Sequence, residues 1–194
     1  MSLKPILFNT EMVRALLEGR KTVTRRVVKP QPVLDGHLWK LGGAAWSDSV
    51  LSAPVMLGHS LYNRAPYQPG DVLWVRETWT RTEAGTIMYR SDSEDTVCDR
   101  WRPSIHMPRE VARIFLRVTG VRCERLQELT LKDAEMEGMD LRGPMFTKFV
   151  EVWNKTVQRN PNKFKRYPYY WEDNPWVWVI EFERISKEDA INDK

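Results

Sequence analysis

The stretch "ARIFLRVTGVRCERL", residues 112–126, limits the fold more than any other part of the chain. Ala112, Ile114, Leu116 and Val118 alternate on one face with the period of two that marks a β-strand. After Gly120 the phase flips, and Val121 and Cys123 continue the apolar set. A glycine at a phase flip predicts a β-bulge, and bulges bend a sheet toward closure.

The flanking segments fit such a sheet. "NTEMVRALLEG" predicts a short helix, capped by Asn9 or Thr10, with Glu11 in its first turn. Met12, Ala15 and Leu16 form its apolar stripe, and Gly19 stops it in the left-handed conformation. "TVTRRVV" is rich in β-branched residues and reads as a strand. "QPGD" is a turn leading into "VLWVRETW", a strand for which "TIMYR" is the expected hairpin partner. "LTLKDAEMEGMD" predicts a short helix, with Thr130 and Asp133 as its capping box and Gly138 at its end. "PMFTKFVEVWNKT" predicts a longer amphipathic helix. "PWVWVIEFERI" is a last strand, with Trp176, Trp178, Ile180 and Phe182 on one face. Residues 29–69 hold many Pro, Gly and Ser and read as a long loop with room for a short helix or hairpin. The tail 186–194, "SKEDAINDK", is expected to fray. Strands separated by short helices, without a long β-α-β rhythm, predict an α+β fold: a small curved sheet or barrel with helices packed outside.

At 194 residues the chain suits a single domain, here taken as residues 1–185 with an insertion at about 29–69. No apolar run approaches the roughly 20 residues that cross a bilayer, and no membrane partner is expected. The start "MSLKPILFNTEMVR" lacks the apolar core of a signal peptide, so the cytoplasm is the expected compartment. Cys98 and Cys123 form no C-x-x-C pair; Cys123 lies in the alternating pattern and reads as a buried thiol, while Cys98 lies in an acidic loop. The histidines His37, His59 and His106 are scattered, so neither a metal nor another cofactor is expected.

The formal charge is +4, and its distribution says more than its size. Up to residue 40, Lys4, Arg14, Arg20, Lys21, Arg25, Arg26, Lys29 and Lys40 are opposed only by Glu11, Glu18 and Asp35, whereas "SDSEDTVCDR" is acidic. Nine tryptophans serve as core filler or, where exposed beside basic residues, as platforms for a base.

The basic cluster "GRKTVTRR", residues 19–26, contains Gly19, Lys21, Thr24 and Arg26 as G-x-K-x-x-T-x-R. With the preceding helix, the "PGD" turn followed by "LWVRE", and the final "WVIEFERI", the chain resembles the ASCH domain family of the PUA-like superfamily across residues 4–185. "WVRETW" and "WRPSIHMPR" are similar to ASCH proteins of phages and prophages. The resemblance implies a small PUA-like β-barrel with a basic cleft, and RNA or a modified nucleoside as partner. One bacterial branch of the family is an amidohydrolase that removes the acetyl group from N4-acetylcytidine, using the motif lysine and threonine with a glutamate. Carried over by position, these are Lys21, Thr24 and Glu137 as catalytic residues. This chain is longer and carries the 29–69 insertion.

The residues themselves leave alternatives open. Lys21 is a solvated charge, or a base if it lies in the turn after Gly19; on a regular strand it would face away from Thr24. Thr24 is a β-former or a nucleophile activated by a base. Arg26 holds a phosphate or a developing oxyanion, and Arg25 supplies a further cation. Glu137 is a surface carboxylate or a proton donor, with Glu135 as competitor. Glu77 shares a strand face with Leu73 and Val75 and is either ion-paired with an arginine or part of the cleft; Arg76 lies on the opposite face. Trp101, Arg102 and His106 sit in a loop stiffened by Pro103 and Pro108, for structure or for contact with a ribose, base or phosphate. Three readings follow: an amidohydrolase acting on an acylated cytidine, a non-catalytic RNA-binding module, and a ribonuclease.

Overall fold

The computed structural model describes residues 3–41, 44–47, 62–92, 100–140, 143–157 and 169–192. In chain order the regular elements are β1 (Leu3–Leu7), α1 (Thr10–Leu17), β2 (Val23–Val27), β3 (Val33–Asp35), β4 (Leu38–Leu41), β5 (Ala44–Ser47), β6 (Val72–Arg76), β7 (Trp79–Arg81), β8 (Ile87–Tyr89), β9 (Phe115–Arg125), α2 (Leu131–Met136), α3 (Met145–Val157), β10 (Trp176–Ile185) and α4 (Lys187–Asn192). The fold is α+β. Five strands pair in the order β1-β6-β9-β10-β2, and among the described residues no pairing joins β2 to β1. By contact density the chain divides into two units: Met1–Thr22, Pro69–Thr119 and Phe182–Lys194 make the first, Val23–Gln68 and Gly120–Glu181 the second.

In the first unit β1 runs parallel to β6, Leu3 opposite Val72 and Leu7 opposite Arg76, and β6 runs antiparallel to the start of β9. Asn9 caps α1, its Oδ1 accepting from the Met12 N–H at 2.8 Å. The buried stripe of α1 is Val13, Ala15 and Leu16. Val13 takes the place expected for Met12, which stays half-exposed. The expected hairpin is displaced: "VLWVRETW" breaks after β6, and β8 pairs with the short β7 instead. Val72, Trp79, Met107, Ala112, Phe115 and Ala190 form one core. Ala190 belongs to α4, so the tail expected to fray is helical over Lys187–Asn192. Ser186 caps this helix, accepting from the Asp189 N–H and donating to its carboxylate.

In the second unit β2 and β10 are antiparallel, Val23 opposite Glu181 and Val27 opposite Val177. The stretch read as a long loop contains a three-stranded antiparallel sheet, β3-β4-β5. Gln31 ties its entry to β10: the side-chain amide accepts from the Trp176 N–H at 2.7 Å and donates to the Trp176 carbonyl at 3.0 Å. Arg125 lies over two indoles, 5.3 Å from the Trp39 ring and 4.5 Å from that of Trp176. The unit's core joins Val23, Val177 and Val179 to Ala134 of α2 and to Phe149 and Trp153 of α3. Strand β10 is buried on both faces from Trp176 to Ile180: the face shared by Trp176, Trp178, Ile180 and Phe182 and also that of Val177 and Val179. A strand covered on both sides needs apolar residues at every position.

The burial phase of β9 flips where expected. Val118 and Val121 are both buried, with Thr119 exposed and Gly120 half-exposed between them. A Cβ at position 120 would stand 2.8 Å from Glu181 Oε2, so any added side chain must displace that carboxylate. Glu181 is in turn ion-paired with Arg122. Cys123 is buried, and burial pushes its thiol well above the ordinary range. Cys98, like His59, lies outside the described residues. No helix among the described residues is long and apolar enough to cross a membrane. Gly120→Ala is expected to cost about 1 kcal/mol and to lower Tm by about 2–4 °C. Calorimetry in a Glu181→Ala background checks the cause, because the added cost of the alanine should vanish once the clashing carboxylate is gone.

Candidate functional site

The end of α1 sets the motif in place. Gly19 has φ +75°, the left-handed conformation read from the sequence. The N–H of Gly19 donates to the Leu16 carbonyl, and those of Arg20 and Lys21 both donate to the Ala15 carbonyl. Lys21 follows this turn as a β-bridge residue, two positions ahead of β2. It is 2% exposed, with Nζ 5.4 Å from the centroid of the Phe8 ring.

On β2, side chains alternate. Thr24 and Arg26 share one face, and Arg26 Nη1 donates to Thr24 Oγ1 at 3.0 Å and to the Arg25 carbonyl at 3.1 Å. A hydroxyl that accepts from a guanidinium keeps its own proton to donate elsewhere. Burial lowers the Arg26 pKa from its ordinary value, against the opposing influence of Tyr67 and Glu137.

Arg25 points to the other face, the apolar side formed by Val23 and Val27. Its side chain is 1% exposed. Nε and Nη2 both donate to Glu124 Oε1, at 3.0 and 2.6 Å. Nη2 also lies 3.2 Å from Asp133 Oδ1, and Nη1 lies 3.3 Å from Glu137 Oε1. Burial by itself would lower the Arg25 pKa, but Glu137, Glu124 and Asp133 outweigh it and hold the guanidinium above its ordinary value. Arg122 backs the arrangement from β9, bonding Glu124 and Asp133.

Glu137 closes α2. It is the C-cap residue, its N–H donates to the Asp133 carbonyl, and Gly138 follows at φ +89°. The turn brings Glu137 inside at 3% exposure and leaves its competitor Glu135 in solvent. Within the second unit Thr24 accepts from Arg26, Glu137 accepts from Arg25, and the Glu137 charge also acts on Arg26. Lys21 belongs to the first unit.

The remaining expected site residues also lie in the first unit. Glu77 is buried in an ion pair: Arg113 Nε donates to its Oε1 at 2.9 Å, and Ser91 Oγ donates to its Oε2 at 2.6 Å. Glu77 thus has the arginine partner that its strand position suggested. Arg113 also stacks 3.9 Å from the Tyr89 ring centroid. Arg102 exchanges both backbone hydrogen bonds with Trp79 and places its guanidinium 5.1 Å from that indole. Arg76 donates to the Ile105 carbonyl and lies 5.3 Å from the Trp74 ring. These contacts pin the proline-bounded loop, on which Arg102 and His106 are exposed and Trp101 is half-buried. Among the described residues, no group of three His, Cys, Asp or Glu is placed to hold a metal.

Sequence reasoning missed Glu124, Tyr67 and Arg113, and took Asp133 only as a cap. One signal was present: an arginine between Val23 and Val27 on an apolar strand face demands buried carboxylates, and Asp133 and Glu137 are one helical turn apart.

No family model and no curated protein matches the sequence. Among solved structures the chain is similar to a protein of Enterococcus faecalis V583 described under the family model DUF984, with TM-score 0.46 and 10% identity over 96% of this chain and 81% of that one. It is also similar to an ASCH domain from Lactobacillus crispatus JV V101, with TM-score 0.44 and 11% identity over 95% of this chain and 80% of that one.

Asp133 supplies a pH test. Burial raises its pKa, but bonds from Thr130 and the charge of Arg25 overcome this and leave it below the ordinary carboxylate value. A depressed pKa in the folded state adds stability above the unfolded value of about 3.9, and that stability is lost as pH falls through the folded value. The Tm gap between wild type and Asp133→Asn should therefore narrow as pH drops from about 5 to 3. Circular-dichroism melts across that range check it.

Proposed function

We propose that the protein is an amidohydrolase that removes the acyl group from an N4-acylated cytidine or a closely similar modified nucleoside, within an ASCH-type, PUA-like barrel of the phage and prophage branch. Burial is the observation that carries this reading. Lys21, Thr24, Arg25 and Glu137 are each no more than 3% exposed, although such residues are seldom buried without structural or chemical cause. Three of them are the residues to which the family resemblance assigns catalysis. Lys21 and Thr24 are three residues apart, so the chain itself keeps their Cα atoms within about 10 Å.

In this reading Thr24 either attacks the acyl carbon or positions the water that does, and Lys21 takes the attacking proton. Arg26, already bonded to the Thr24 hydroxyl, steadies the oxyanion as the carbon becomes tetrahedral. Glu137, which accepts from Arg25 Nη1, carries the proton to the leaving group. The proton that Lys21 took from the attacking group passes by way of Glu137 to the leaving amine as the C–N bond breaks, which returns Lys21 to its starting state. Water supplies the remaining atoms, giving the free amine and the carboxylic acid.

A second reading, a non-catalytic RNA-binding module, is favoured by one observation. The pinned loop exposes Arg102 and His106 beside the arginine–tryptophan stacks. Such a surface fits a phosphate backbone and an unstacked base.

Incubation with N4-acetylcytidine and a panel of other modified nucleosides, read by mass spectrometry, tests the first reading. Lys21→Ala and Glu137→Gln should each lower kcat by at least about 100-fold while affinity stays within a few-fold. Arg26→Ala should weaken binding as well. If no nucleoside is cleaved, and an RNA oligomer instead binds with an affinity that falls steeply with salt, the binding module replaces the enzyme.

A further inference from the structure

Glu137 sits where a carboxylate is intrinsically disfavoured. It caps the C-terminal end of α2, where unpaired carbonyls already concentrate negative charge. It is also withdrawn from water. Something must hold it there, and the structure shows what does.

Resting on the reading of Glu137 as a working group, we propose that Arg25 is its positioning residue, a guanidinium clamped by Glu124 and Asp133 so that Nη1 fixes the Glu137 carboxylate. Position 25 is one of the unspecified places in G-x-K-x-x-T-x-R, so the motif gives it no role. The geometry gives it one. The planar fork has five donors, and three distinct carboxylates meet it. Glu124, on β9, takes Nε and Nη2, while Asp133, at the start of α2, takes Nη2. With those contacts made, the guanidinium plane is set, and Nη1 is directed at Glu137 Oε1.

The other charged groups facing this cluster fit the same assignment. Arg122 on β9 bonds Glu124 and Asp133 and pairs with Glu181 on β10, so the two carboxylates that grip Arg25 are themselves gripped. Arg26, on the other face of β2, bonds Thr24 and is also influenced by the Glu137 charge. Arg25 bonds Glu137 from the apolar face of β2. A lysine would keep the charge and lose the fork, because one ammonium cannot hold three carboxylates in a fixed plane.

Two variants separate positioning from simple support. Arg25→Lys retains the charge, and Glu124→Gln loosens the far side of the clamp without touching Glu137. With the acylated nucleoside that wild type cleaves, each should lower kcat by about 10–100-fold and leave KM within a few-fold. Arg25→Met should fall further, with Arg25→Lys as its partial rescue. A second arm needs no turnover: carboxylates are coupled to glycinamide with a carbodiimide, and labelling at each site is read by peptide mass spectrometry. Exposed Glu135, on the same helix, is the reference, and Glu77, buried in the other unit, reports that the fold has held.

The expected result is a rise in the Glu137 to Glu135 labelling ratio in both variants, with Glu77 still protected. An unchanged ratio overturns the proposal. So does wild-type kcat in Arg25→Lys and Glu124→Gln when Glu137→Gln abolishes turnover. If wild type cleaves no nucleoside, the amidohydrolase reading fails, and the labelling ratio alone decides whether Arg25 holds Glu137.

Discussion

An arginine side chain withdrawn from water has to be matched in charge and in hydrogen bonds, or the strand bearing it does not pack. Arg25 imposes that condition on the second unit. It stands on the apolar face of β2, between two valines that join a core shared with α2 and α3. Replacing it by an aliphatic residue would give an ordinary sheet–helix interface. Its presence obliges β9 to supply Glu124 and α2 to supply Asp133 and Glu137. The placement of α2 against the strands is thereby fixed by directional bonds as well as by apolar contact, and apolar contact alone tolerates sliding far better.

The same condition explains why Asp133 does two things at once. It closes the capping box with Thr130 and lies against Arg25. The start and the end of one short helix are therefore both tied to a single side chain of β2. A six-residue helix has little stability of its own, so these ties, with Ala134 in the core, are what keep it formed.

Much of this was legible in the sequence, for definite reasons. The left-handed Gly19, the Thr130 capping box and the phase flip at Gly120 are local, each decided by backbone sterics or by residues within a few positions. Glu137 was preferred over Glu135 by resemblance, and the turn before Gly138 does bring it inside. What escaped was set at a distance. The pairing of β8 with β7 rather than β6 depends on where the chain turns after Glu77, which binds Arg113 from far along the sequence. The helix of the last residues is stabilised by burying Ala190, for which a polar nine-residue string gives little warning. The small sheet of residues 33–47 is too short to show a clear period. Arg25 was read as one more cation, because charge runs look alike whether they face solvent or a core.

The bond between Gln31 and Trp176 bears on how the chain leaves the sheet after β2. In a regular ladder each strand ends with peptide groups that need new partners. Here, one step beyond the Val27–Val177 pair, the Val28 N–H still donates to the Trp176 carbonyl, and the Gln31 side-chain oxygen supplies the acceptor for the Trp176 N–H that a neighbouring peptide would otherwise give. Gln31 is a substitute rung. Once it is in place, the chain is free to leave the sheet without stranding the Trp176 N–H. Whatever is spliced in downstream, long or short, has no call on the register of β2. The spacing of Thr24, Arg25 and Arg26 is in this way insulated from the segment that follows β2.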